Sequence, residues 1–394
     1  MIPTDRWLLP EGVEEALPPH SERLERARRR LLDLFHTWGY ELVIPPFIEY
    51  LESLLVGTSR DLDVQTFKLV DQLNGRQLGV RADMTPQVAR IDAHVLNRPG
   101  PTRLCYLGTV LRARGDGIGG SRSPLQVGAE LYGHAGVDSD LEVIRLMLET
   151  LRFMGVEDLH LDLGHVGIYR ALARRASLGE DDEYALFDVL QRKSVPELEA
   201  MLSLLDCGRE ISAALEALVS LHGGAEIFVR ARKALAAGGS AVAACLDHLE
   251  ALAERLARHE PAVTLHFDLG ELRGYRYHTG VVFAAYAPGV GREIARGGRY
   301  DDIGAAFGRA RPATGFSTDL RVLCELAPEP ETSGGGAIYV GPEDVDAAEE
   351  RIQALRARGE RVVCGLSGQE GGAQALGCDR VLVRVDGNWI VKEV

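Results

Sequence analysis

Leu272-Arg273-Gly274-Tyr275-Arg276-Tyr277-His278-Thr279-Gly280, then Arg296-Gly297-Gly298-Arg299-Tyr300-Asp301, then Pro312-Ala313-Thr314-Gly315-Phe316 follow one another within about fifty residues. Each segment adjoins a short apolar run of strand character. Glycine lets a backbone approach a neighbour or a ligand closely, and the flanking Arg and Tyr supply hydrogen-bond donors. One Arg-Gly pair carries little information. Three such segments in this order are far rarer, and they offer donors to whatever ligand approaches.

Upstream, residues 20–38 place Leu24, Ala27, Leu31, Leu34, Phe35 and Trp38 at helical spacing, and Gly39 stands where a C-terminal helix glycine belongs. Residues 40–44 read as a strand ended by Pro45-Pro46. Residues 65–70 and 76–80 read as two strands joined by a turn at Asn74-Gly75. Arg81-Ala82-Asp83-Met84-Thr85-Pro86 follows, at the end of a strand and the start of a helix. Asp83 and Thr85 can grip an ammonium group together or cap the helix. Residues 104–111 and 125–131 read as strands around the loop at residues 115–120, with Arg112 before it. Gln126, Gly128 and Glu130 alternate, so they share one face of the returning strand. The glycine-rich loop lacks the lysine of a phosphate-binding P-loop.

Residues 138–154 form an amphipathic helix and residues 160–165 a strand. About residues 168–262 the chain becomes rich in Ala, Leu, Glu and Arg, which predicts a helical insertion of mixed charge. Residues 263–269 and 281–286 return as strands. Glycines near 334–336, after Pro328 and Pro330, mark a linker. Residues 335–394 then read as a small α/β module: strand 337–340, helix 345–358, strand 361–366, helix 369–376, strand 380–385 and a last strand from Trp389. The expected division is a core at residues 1–330 carrying the insertion, and this module.

With 46% apolar and 26% charged residues, the 394-residue chain can bury a large core. No run of eighteen apolar residues is present and the first residues lack an apolar signal region, so no membrane span and a cytoplasmic location are expected. The net charge of −14 argues against gripping a nucleic-acid backbone. Six cysteines without a CxxC pair predict neither a zinc site nor a disulfide framework, and no metal or cofactor is expected.

The three opening segments, with Arg81 to Thr85 and the strand–loop–strand around Arg112, resemble the motifs of histidyl-tRNA synthetase, a class II aminoacyl-tRNA synthetase. The resemblance covers roughly residues 1–326. It implies an α+β fold: an antiparallel sheet with flanking helices, interrupted by a helical insertion. It also implies that the helix and strand at residues 20–46 lie at a dimer interface. Carried over residue by residue, it assigns a histidine pocket: Asp83 and Thr85 for the ammonium, Arg112 and Gln126 for the carboxylate, Glu130 and Tyr300 for the imidazole, and Arg273, Tyr277 and His278 from the specificity signature. Asp83 is one methylene shorter than the family's Glu, and Arg276 and His278 replace an Asp and a Tyr.

The nucleotide groups depart further. Arg114 stands where the second motif places a Glu for the adenine amino group, and a guanidinium cannot accept a hydrogen bond. The third motif's closing Gly-Leu-Glu-Arg is here Asp319-Leu320-Arg321-Val322. Val322 in place of that arginine removes a charge-assisted bond worth roughly 1.5–3 kcal/mol, and Asp319 opposes phosphate. No aminoacylation is expected. A chain that keeps the amino-acid side and loses the nucleotide side resembles the regulatory subunits of ATP phosphoribosyltransferase, paralogues of histidyl-tRNA synthetase in histidine biosynthesis. That implies a non-catalytic partner of the short-form catalytic subunit. It would act in a hetero-octamer built on dimers of this chain, raising activity and passing on feedback inhibition by histidine. The alternatives are an active histidyl-tRNA synthetase or another tRNA-binding paralogue.

Overall fold

The computed structural model describes residues 7–56, 60–115, 120–205, 207–272, 274, 277–327 and 336–394. They fall into two compact units, Met1–Ala327 and Pro328–Val394. In the first, a nine-stranded sheet is assembled from β1 (Glu41–Leu42), β5 (Thr102–Thr109), β6 (Leu125–Tyr132), β7 (His160–His165), β8 (His222–Gly223), β9 (Thr264–Asp268), β10 (Val281–Tyr286), β11 (Ala295–Arg299) and β12 (Ala313–Asp319). A separate sheet joins β2 (Ile48–Tyr50), β3 (Phe67–Val70) and β4 (Gln77–Val80).

The large sheet runs β1-β5-β6-β12-β11-β10-β7-β9-β8. From β5 to β7 every neighbour is antiparallel. β1 and β9 add in parallel at the two sides. The alternation of β6 sets the two faces. Val127, Ala129 and Leu131 enter the main core, where the helices His20–Thr37 and Val137–Phe153 contribute Leu31, Phe35, Ile144 and Leu148. Gln126, Gly128 and Glu130 look the other way. Opposed residues share a face, so one row crosses the sheet as Glu130, Gly315, Gly298, Val282 and Gly164. The next row runs Tyr106, Gly128, Ser317, Arg296, Ala284 and Asp162. The glycines make a floor without side chains, and that absence opens the cleft.

The strand expected at residues 65–70 is shorter, because residues Arg60–Gln65 close a helical turn and Thr66 makes only an isolated bridge to Arg112. The strand expected at 40–44 keeps only Glu41–Leu42, cut short before Pro45. The insertion is helical from Val166–Arg175 to Gly239–His259, with one exception: His222–Gly223 pairs with β9 and extends the large sheet. The second unit has a four-stranded sheet, β14-β13-β15-β16, formed by β13 (Ala337–Val340), β14 (Val362–Cys364), β15 (Cys378–Val385) and β16 (Asn388–Glu393). The helix expected at 369–376 is a single turn, Gly372–Ala375, because Gly371 and Gly372 both take positive φ. The linker glycines at 334 and 335 lie outside the described residues.

Phe35 is fully buried and meets Phe316 edge-on at 6.2 Å, directly beneath the cleft floor. Phe35→Ala is expected to lower unfolding free energy by roughly 3–5 kcal/mol, read by urea denaturation followed by circular dichroism. A loss below about 1 kcal/mol would contradict this packing.

Candidate functional site

A cavity of about 320 Å³ opens over the glycine floor. Asp83, Thr85, Glu130, Tyr277, His278 and Tyr300 line it, so six of the nine residues named from the sequence converge. Asp162, Glu271 and Arg296 also line it, and sequence reasoning did not assign them to the site.

Glu130 lies at the bottom with 1% of its surface exposed. Tyr106 donates to Oε1 at 2.9 Å and Tyr300 donates to Oε2. Thr85 Oγ1 shares a hydrogen bond with the Tyr106 hydroxyl at 3.0 Å. The ring of Tyr277 stacks on that of Tyr300, with centroids 5.0 Å apart. A Cβ on Gly315 would fall 1.5 Å from Glu130 Oε2, and one on Gly128 would meet the Tyr106 hydroxyl at 2.5 Å. Both glycines are therefore fixed by the acid and the tyrosine that supports it. Tyr106 was missed in the sequence. Its signal was the small residue between Gln126 and Glu130, which makes room for a ring from the neighbouring strand.

Burial pushes the Glu130 carboxyl up to about 8, and Asp83 adds to the rise, while the hydroxyls of Tyr300, Tyr106 and Thr85 act against it. Desolvation outweighs these bonds because they are neutral donors, and a charged carboxyl in a low dielectric needs a cation. Tyr277 Oη is buried without a hydrogen-bonding partner among the described residues. An orphaned buried hydroxyl costs about 1–3 kcal/mol.

Asp83 Oδ1 accepts from Thr85 N at 3.0 Å and from Gln126 Nε2 at 2.7 Å. Gln126 Oε1 in turn accepts from Met84 N at 2.9 Å. Gln126 thus orients Asp83 through both ends of its amide. The carboxylate keeps acceptor capacity for an ammonium group. His278 lies over Gly298, where a Cβ would stand 2.6 Å from its Cδ2. Tyr300, expected to meet a ligand nitrogen, instead directs its hydroxyl at Glu130. Arg273 lies outside the described residues.

Arg112 and Gln126 line a neighbouring cavity of about 380 Å³ with Val322. Its arginines are Arg112, Arg292, Arg296 and Arg321, and its acids are Glu14, Glu293, Asp319 and Glu325. The formal charges cancel. Asp319 Oδ1 accepts the N–H groups of Leu125 and Arg321, each at 3.0 Å, so it both caps the helix Leu320–Leu326 and ties it to β6. Burial raises its pKa. A triphosphate entering here would meet four acids and the apolar Val322. The two cavities share Arg296 and Ser317. The first presents Asp83, Glu130, Asp162 and Glu271 against Arg296 and His278, and so suits a ligand with positive charge.

The family model for histidyl-tRNA synthetase matches residues 12–323, and that for the ATP phosphoribosyltransferase subunit HisZ C-terminal domain matches residues 335–392. The chain is 62% identical to an ATP phosphoribosyltransferase regulatory subunit of Thioalkalivibrio sulfidiphilus, covering 98% of this chain and 97% of that one. It is 54% identical to the one from Nitrosococcus oceani, covering 99% and 98%. A solved structure from Bacillus halodurans, described as an ATP phosphoribosyltransferase regulatory subunit/histidyl-tRNA synthetase, superposes with a TM-score of 0.83 at 30% identity, covering 94% of this chain and 96% of that one. Histidyl-tRNA synthetase from Nostoc shares the fold, with a TM-score of 0.77 at 17% identity over 98% and 97% of the two chains. Among the described residues no helix is long and apolar enough to cross a membrane.

Glu130 holds its proton more tightly folded than unfolded. The stability tied to that proton is full below its ordinary value of 4.5 and is lost as pH rises through about 8. The difference in unfolding free energy between the natural chain and Glu130→Gln, measured across pH 4 to 9, should shift against the natural chain over that window. A difference independent of pH would contradict the buried neutral acid.

Proposed function

The chain belongs to the family of ATP phosphoribosyltransferase regulatory subunits, and from that membership we propose that it senses histidine in the Glu130 cavity for a short-form catalytic partner. In this reading the partner carries the transferase chemistry. This chain binds the partner, raises its activity and passes on feedback inhibition. It has no aminoacylation activity of its own.

One contrast carries the reading: a deep, acid-lined cavity beside one whose charges cancel. Histidine is a zwitterion with a basic ring. Asp83 and Thr85 suit its ammonium. The imidazole suits Glu130, whose neutral carboxyl can donate its O–H to a ring nitrogen. The stacked rings of Tyr277 and Tyr300 form one wall of the cavity. Adenylate chemistry needs cations where charge develops on phosphate, and the second cavity has no net positive charge to offer. Regulation requires only that histidine favour one quaternary state over another, a coupling of about 1–3 kcal/mol.

We also propose self-association through the β2–β4 region. Leu42, Ile44, Phe47, Ile48, Leu69, Val70 and Leu73 leave large apolar side chains exposed there, from 42% for Phe47 to 95% for Leu73. Exposed large apolar side chains along β1 to β4 and their connections suit an association surface. A dimer formed there supports the hetero-octamer expected from the sequence.

Added to a short-form phosphoribosyltransferase, the chain is expected to raise turnover, and histidine to reverse the increase. Glu130→Gln should keep the activation and need about tenfold more histidine or more, a loss of at least about 1.4 kcal/mol of binding. No activation would refute the partnership. Unchanged sensitivity in the variant would refute the cavity as the sensor. Histidine-dependent ATP–pyrophosphate exchange by the chain alone is expected to be absent, and clear exchange would restore the synthetase reading.

A further inference from the structure

Tyr300 is held on both sides by a buried polar hub that reaches the helical insertion. Arg299, the residue before it, is 5% exposed and Asp140 is fully buried. Arg299 Nη2 donates to Asp140 Oδ1 at 2.9 Å and Nε donates to Oδ2 at 3.2 Å. Nη2 also donates to Ser139 Oγ at 2.8 Å, and Nη1 to His134 O and to Asp301 Oδ1, both at 3.1 Å. Asp301, on the other side of Tyr300, accepts Ala313 N at 3.0 Å and donates its own N–H to Thr279 Oγ1 at 2.9 Å. Thr279 N donates to Arg299 O at 2.7 Å. A single guanidinium thus fixes both neighbours of the tyrosine whose hydroxyl holds Glu130.

The hub extends to one residue of the insertion. His248, near the middle of the helix Gly239–His259, places Nε2 2.8 Å from Asp140 Oδ2, the same oxygen that Arg299 Nε uses. Its ring meets that of His165 edge-on at 5.8 Å, and His165 Nδ1 accepts Gly167 N to cap the next insertion helix, Val166–Arg175. Asp140 is therefore shared between the ligand-side arginine and the insertion. Buried charges have few arrangements that satisfy every partner, so movement of one member obliges the others to follow. Other ion pairs of this helix lie at the surface: Asp247 and Glu250 pair with Arg232 of the neighbouring helix Ile227–Ala234, and Arg255 pairs with Asp138.

We propose that His248, acting through Asp140 and Arg299, is a positioning residue that sets Tyr300 against Glu130 and so lets the insertion tune the ligand cavity. The inference rests on the histidine reading for its consequence, but its structural step does not. Displacement of the insertion helix would draw on Asp140, loosen Arg299, and release Tyr300 from Glu130. An effector in the cavity and a protein leaning on the insertion would then influence each other reciprocally.

The test uses the full chain with His248→Ala, His248→Gln and Arg232→Ala. Glutamine can still donate to Asp140, and Arg232→Ala, on the neighbouring helix, removes the surface pairs of Asp247 and Glu250 away from the hub. Hydrogen–deuterium exchange is read on peptides covering residues 277–280 and 298–302, and histidine affinity is read by calorimetry. His248→Ala should speed exchange in both peptides and weaken histidine binding about fivefold or more. His248→Gln and Arg232→Ala should match the natural chain in both. Unchanged exchange in His248→Ala, or no recovery with glutamine, overturns the relay, even if the melting temperature falls. If the natural chain binds no histidine, the ligand reading fails, and the exchange data still decide the relay.

Discussion

A carboxyl group cut off from water, held by neutral tyrosine hydroxyls and with the acid Asp83 nearby, is the constraint around which this cleft is built. Among the described residues, the tyrosines Tyr106 and Tyr300 hold the two oxygens of Glu130, and burial keeps a proton on it to about pH 8. Everything nearby answers to that arrangement. Gly315 is glycine because any Cβ would strike the acid, and Gly128 because the supporting tyrosine crosses over it. The buried Arg299 and Asp140 fix the backbone that delivers Tyr300. Such a group keeps an O–H to donate. A ligand that brings a basic nitrogen accepts it.

The same sheet carries the opposite situation a few residues away. Along β12, Gly315 lies under Glu130, while Asp319 at the strand's end spends a carboxylate oxygen on two backbone N–H groups. That acid stabilises the start of the helix Leu320–Leu326 and closes β6 against it. An arrangement that serves the fold in this way is poorly suited to phosphate. Four arginines remain around the second cavity, but four acids accompany them. Along one strand pair the cleft thus holds an open acid-lined cavity at one end and an acid committed to the fold at the other.

Much of this was legible in the sequence because the informative residues are local. Period-two alternation placed Gln126, Gly128 and Glu130 on one face, and glycine punctuation located β11 and β12. Six of the nine assigned residues meet in one cavity. What was not legible depends on contacts between distant segments. Tyr106 reaches Glu130 only through strand register. Arg112 lies beyond the end of β5, makes an isolated bridge to Thr66 and lines the neighbouring cavity. Tyr300 serves Glu130 rather than facing the ligand alone, a choice made by Arg299 from 159 residues beyond its partner Asp140. The edge strand His222–Gly223, inside a stretch of helical composition, was invisible for the same reason: its pairing partner, not its own propensity, makes it a strand.

The division of the cleft is tested most directly by paired calorimetric titrations of the full chain at neutral pH, histidine into protein and ATP into protein with histidine already saturating. The account predicts a saturable heat for histidine with one site per chain and no saturable heat for ATP. Stoichiometric ATP binding in the presence of histidine, with none for histidine alone, would contradict it.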